Sequence, residues 1–155
     1  MYRITIQCRV PKDTVPAPFL IKKWAKQALK KKSKNTELNI RIVNIIEITD
    51  LNVRYRHKQG ATNVLSFPFD MPWDIYDEPS MLGDIVICAD VVKEEAKAQG
   101  KLEEAHWAHM IVHGTLHLLG YDHEIESDAA IMESQEIHIL AALGFENPYL
   151  GSSHK

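Results

Sequence analysis

At 155 residues with a net charge of −3, the chain is long enough for one well-buried core and too short for two. Its 45 % hydrophobic and 25 % charged residues exclude intrinsic disorder, collagen-like repeats and low-complexity classes. No apolar run approaches the roughly 18 residues of a membrane span, and the opening MYRITIQCRV lacks a leader pattern, so a cytoplasmic protein with no membrane association is expected.

Tyr2, Ile4, Ile6, Cys8 and Val10 alternate with polar residues, which predicts a first strand over residues 2–10. Pro11, Pro16 and Pro18 break it. A helix is expected from about Ala17 to Lys32, with Phe19, Leu20, Trp24, Ala28 and Leu29 on its apolar side and lysines on the other. Leu38 to Ile46 reads as a second strand, and Thr49 or Asp50 as the cap of a short helix carrying Leu51, Val53, Tyr55 and Arg56. A turn then leads into a third strand, Asn63 to Phe67, which Pro68 ends or marks as an edge. Residues 70–80, with two prolines and four acids, read as a surface loop. Gly83 to Cys88 is a fourth strand, and Ala89 to Gln99 an amphipathic helix closed by Gly100. A helix over 102–119 stops at Gly120, and the last runs from a Ser127 cap to Leu143 with Gly144 beyond it. With no repeat or linker in 1–155, the sequence predicts a single α+β domain. About four strands form a mixed sheet packed with about five helices, and the helix over 102–119 is the buried central one.

Charge is unevenly spread. Residues 1–60 hold 14 Lys+Arg against 4 Asp+Glu, a balance of +10, and residues 61–155 hold 4 against 17, a balance of −13. Seven lysines fall between Lys22 and Lys34. They form either a solvated helix face or a patch for a polyanion, with Lys30, Lys31 and Lys32 as candidate contacts to its phosphates. Cys8 and Cys88 lie in separate apolar runs with no CxxC spacing, which suits two buried thiols in a reducing compartment better than a disulfide.

The informative segment is HWAHMIVHGTLHLLGYDH, residues 106–123. At about 100° per residue His106, His109, His113 and His117 share an arc of about 80°, while the rest of the helix is apolar. Such a helix is buried, and buried imidazoles need partners. His113 and His117, one turn apart, project the same way and can bind one ion, and Gly120 permits the turn that returns His123 as a third ligand. Three neutral histidines with an open fourth position describe a catalytic zinc site, one Zn2+ per chain. His109 is a candidate supporting residue behind the ligands, or a core residue. The residue after the first histidine, a glutamate general base in HExxH metalloproteases, is Gly114 here. A glycine in a buried helix points to a close approach by another backbone or by substrate.

The segments YRHKQGATNVLSFPF (55–69), LGDIVI (82–87) and HGTLHLLGYDH (113–123) resemble the YbeY family of bacterial endoribonucleases. The resemblance implies a zinc-dependent, single-strand-specific endoribonuclease. Its setting would be ribosomal RNA maturation, notably the small-subunit (16S) RNA 3′ end, and ribosome quality control. It also implies metal ligation by His113, His117 and His123 and a functional arginine at Arg56. Arg56 is thus either a phosphate contact or a surface ion pair with Asp50 or Glu47. Asp84 and Asp122 are candidates for orienting a ligand histidine, or else cap and turn residues. Single-stranded and ribosomal RNA are the expected partners, with basic small-subunit ribosomal proteins facing the acidic half. Two other readings stand beside this one: a zinc metalloprotease of metzincin-like spacing, which Gly114 argues against, and a non-catalytic ribosome-assembly factor.

Overall fold

A computed structural model describes residues 2–30, 36–69, 80–121 and 126–149. The alternation at the N-terminus folds as β1 (Tyr2–Cys8), which pairs in parallel with β2 (Thr36–Val43) from Tyr2↔Thr36 to Cys8↔Ile42. Between them lies α1 (Pro18–Leu29), whose first residue is a proline with its φ already set for a helix. Its buried positions are Ile21, Trp24, Ala25, Ala28 and Leu29, the i, i+3, i+4 spacing of one stripe. Phe19, expected on that side, lies two residues before Ile21 and so falls about 200° round the helix; it is 71 % exposed.

The second strand stops earlier than its apolar run suggests. Asn44 interrupts it and caps α2 (Ile45–Arg56), its side chain accepting from the Glu47 N–H at 2.9 Å. Ile45 and Ile46 therefore open a helix on the surface, and Ile46 is 80 % exposed. The cap is Asn44 rather than Thr49 or Asp50, and the helix is correspondingly longer.

β3 (Val64–Pro68) forms an antiparallel edge against β4 (Ser80–Cys88), and β4 runs parallel to β2. The sheet order is β1-β2-β4-β3. β4 starts three residues before the expected Gly83, and its register on β2 slips there: Glu37 pairs with Met81 but Leu38 with Gly83. Gly83 sits at φ +149 and faces Pro68 across the pair, where a Cβ would lie 2.3 Å from the Phe67 carbonyl oxygen. Only glycine lets the two backbones approach so closely. Residues 70–79 of the expected loop lie outside the described residues.

α3 (Ala89–Ala98), α4 (Glu103–Leu118) and α5 (Glu126–Ala142) complete the element order. Ser127 lies inside α5 rather than capping it. Ile4, Leu38, Ile40, Ile42, Ile85 and Ile87 turn one face of the sheet toward α1, α4 and α5, where Trp24 and Trp107 are each 1 % exposed. The opposite face packs a smaller cluster, Val43, Leu65, Val86 and Cys88, under Ile48 of α2. The two cysteines are unbridged. No helix among the described residues is long and apolar enough to cross a membrane.

Candidate active site

Helix α4 is buried on nearly every side, as its composition requires. His106 and His109 are enclosed, whereas His113 and His117 are partly open. Their rings, with centroids 4.8 Å apart, reach a cleft of about 570 Å³. Its other wall is the end of α2 and the start of β3: Asn52, Arg56, Lys58, Thr62, Asn63 and Ser66. α2 ends at His57 in the left-handed conformation, φ +57, which a histidine tolerates better than a branched residue. The following segment is tied back by the Lys58 N–H to the Asn52 carbonyl at 3.2 Å and by Asn52 Nδ2 to the Gly60 carbonyl at 3.0 Å. The Asn63 amide donates to both Glu95 oxygens, at 3.0 and 3.2 Å, and Ser66 Oγ donates to the Gly114 carbonyl at 3.1 Å. These bonds fasten the β3 wall to α3 and α4.

Gly114 itself faces the sheet. A Cβ there would lie 3.1 Å from Ile85 Cγ2, so the close approach is made by a core side chain of β4 and not by a passing backbone or substrate. A glutamate at this position would be driven into the core, away from the cleft. The general base of the HExxH enzymes has no place on this helix.

On the α5 side of His113 stands Glu136, fully buried. Its Oε2 accepts from His113 Nδ1 at 2.5 Å, and its Oε1 accepts from His109 Nε2 at 3.0 Å and from the Tyr149 hydroxyl. Burial pushes the Glu136 carboxyl up, but the hydrogen bonds and charges of His109 and His113 outweigh it and hold the group at about 2. Burial, then the bond to Glu136, push the Tyr149 hydroxyl well above its ordinary value, so it remains a donor. Ligand atoms of His109, His113 and Glu136 lie within 4.8 Å of one another. Imidazoles and a carboxylate in one group suit a divalent transition ion, and the residues present fit a metal centre.

A sequence model of the family described as endoribonuclease YbeY matches residues 6–144. The chain belongs to the endoribonuclease YbeY family. A protein of Nitrosococcus oceani named endoribonuclease YbeY is 51 % identical over 146 residues, 94 % of this chain and 95 % of the relative. One of the same name from Methylococcus capsulatus is 52 % identical over 149 residues, covering 96 % of each. A Thermotoga maritima protein solved in solution shares the fold at a TM-score of 0.58 and 24 % identity, over 97 % of this chain and 100 % of that one.

In this YbeY-family chain the expected site residues are only partly brought together. His113, His117 and Arg56 share the cleft. Asp50 pairs with Arg54 at 3.1 Å and Glu47 with Arg41 at 2.5 Å, so neither engages Arg56 as an ion-pair partner. Asp84 is not near the histidines. Its neighbour Ile85 faces α4, so Asp84 points to the opposite side of the sheet and accepts from Asn39 Nδ2 at 3.0 Å. His109 lies behind His113, the two joined through Glu136. Lys30 is exposed just past the end of α1. His123, Asp122, Lys31 and Lys32 lie outside the described residues. Glu136, Tyr149 and Glu95 are the residues the sequence reading missed. Glu136 carried a signal: among Met132, Ile139 and Leu140 it is an acid on an apolar helix stripe.

Proposed function

We propose that this protein is a metal-dependent endoribonuclease that cleaves single-stranded ribosomal RNA, acting in 16S RNA 3′-end maturation and ribosome quality control. One zinc ion would be held by His113, His117 and His123. The observation that carries this reading is the cleft that gathers Arg56, Lys58, His113 and His117. Cations beside imidazoles suit a phosphodiester better than a peptide, because the charge on a non-bridging oxygen must be offset as the bond breaks. When bound, the ion supplies Lewis-acid charge at that phosphodiester.

The chain's own residues do the rest. The planar Arg56 guanidinium holds a non-bridging oxygen with two parallel N–H donors and opposes the developing charge. Lys58 adds a second cation on the same wall. Asn63 and Ser66 are committed to Glu95 and the Gly114 carbonyl, so they fix the wall and leave recognition to the cations. The attacking oxygen comes from water or from the substrate's own 2′-hydroxyl. A cytoplasmic setting and contact with basic ribosomal proteins, through the acidic half, follow from the same reading.

The test is cleavage of small-subunit ribosomal RNA by the wild type and two variants, with metal content measured alongside. His113→Ala should lose both the metal and the cleavage. Arg56→Ala should keep its metal and slow by about 10²–10³, and casein should stay intact. Metal-dependent proteolysis abolished by His113→Ala, with RNA untouched, would put a protease in place of this reading.

A further inference from the structure

We propose that Glu136, assisted by Tyr149, is the positioning residue of the metal centre: it fixes His113 as the ring form protonated on Nδ1, leaving Nε2 as the coordinating atom. This rests on the proposed role of His113 as a metal ligand.

Three groups converge on the two Glu136 oxygens, His113 Nδ1 and His109 Nε2 at 2.5 and 3.0 Å and the Tyr149 hydroxyl. An ionised carboxylate only accepts, so all three are satisfied if each donates. His113, which borders the cleft, then carries its proton on Nδ1 and a lone pair on Nε2. The same assignment gives His109 its proton on Nε2. Its Nδ1 is buried with no partner among the described residues, so a proton there would have no acceptor, whereas one on Nε2 meets Glu136. Tyr149 closes the arrangement from outside. Its ring meets His109 edge-on at 5.4 Å, and an Asx turn holds its backbone through Asn147 Oδ1 at 2.8 Å. With both oxygens occupied by ring and phenol donors, Glu136 acts here behind His113, in place of the direct ligation that its grouping with His109 and His113 would also allow. A carboxylate on the distal N–H of a metal-binding histidine raises that ligand's basicity and orients its ring.

The test reads the ring nitrogens directly, in metal-free protein labelled with 15N, and then zinc affinity by competition with a chromophoric chelator. Wild type should show His113 protonated on Nδ1 alone. Glu136→Gln should mix the two ring forms and weaken zinc binding by about 10–100-fold. Tyr149→Phe should keep the ring form and lose less than about tenfold, since the His113 bond remains. A wild-type spectrum with His113 protonated on Nε2 overturns the proposal whether or not any variant folds. So does a folded Glu136→Gln protein with unchanged ring form and zinc affinity. Wild type with the expected ring form that binds no zinc would instead overturn the metal reading and leave the hold of Glu136 on the ring standing.

Discussion

His106 is 3 % exposed, with its Nε2 2.8 Å from Glu95 Oε1. Burial lowers its pKa below 6.5 despite that carboxylate. Between the folded and unfolded values the unfolded chain binds a proton that the native ring refuses. Stability therefore falls as the pH drops below 6.5, and the loss stops once the folded ring also protonates. Glu136 acts lower on the scale: its ionised form stabilises the fold above 4.5, and that contribution is lost as the pH falls toward 2. In urea unfolding of metal-free protein, His106→Gln should lose less stability than wild type between about pH 7.5 and 5.5. Equal losses would mean that His106 does not titrate in this way. The histidine stripe was legible because a helix has a fixed period. Its partners were not, since Glu136 comes from another helix and Asp84 could be placed only once strand parity was known.

Helix α4 and strand β4 meet at Gly114 and Ile85, and the Ser66 hydroxyl ties β3 to the same turn. Two effects compete at that glycine. Alanine would gain about 1 kcal/mol of helix propensity, while crowding Ile85 costs about 1–3 kcal/mol. Gly114→Ala should thus be destabilising by about 1 kcal/mol in urea unfolding, and a more stable variant would show that Ile85 can yield. The elements themselves were readable where one period dominated, as in β1 and α4. They failed where an apolar run fits two periods. The isoleucines around Asn44 suit a strand as well as a helix start, and only the Asn44–Glu47 bond separates the two. Likewise the wall of the cleft depends on a left-handed His57, which no periodicity announces.

Across the fold, the lysine patch and the candidate cleft occupy different edges of the sheet. α1 covers the β1 side, where Lys22, Lys23, Lys26 and Lys30 are exposed, whereas the cleft opens beside β3. Three strand spacings separate those edges, about 14 Å. Reversing Lys30, Lys31 and Lys32 to glutamate should raise KM for RNA, leave kcat nearly unchanged and reduce the log–log salt slope by about 2. An unchanged slope would make these lysines a solvated face only. The charge asymmetry was plain in the sequence, but its distance from Arg56 depends on the strand order β1-β2-β4-β3. That order also governs how the chain reaches its native state. Arg3 joins Glu37 across 34 residues and Asn39 joins Asp84 across 45, so the central pairings reward the chain only after long loops have closed. Domains with such remote pairings fold more slowly than helical bundles of local contacts. Until the sheet forms, α4, apolar on almost every side, has no surface on which to bury itself, and misassociation of the nascent protein is most expected there.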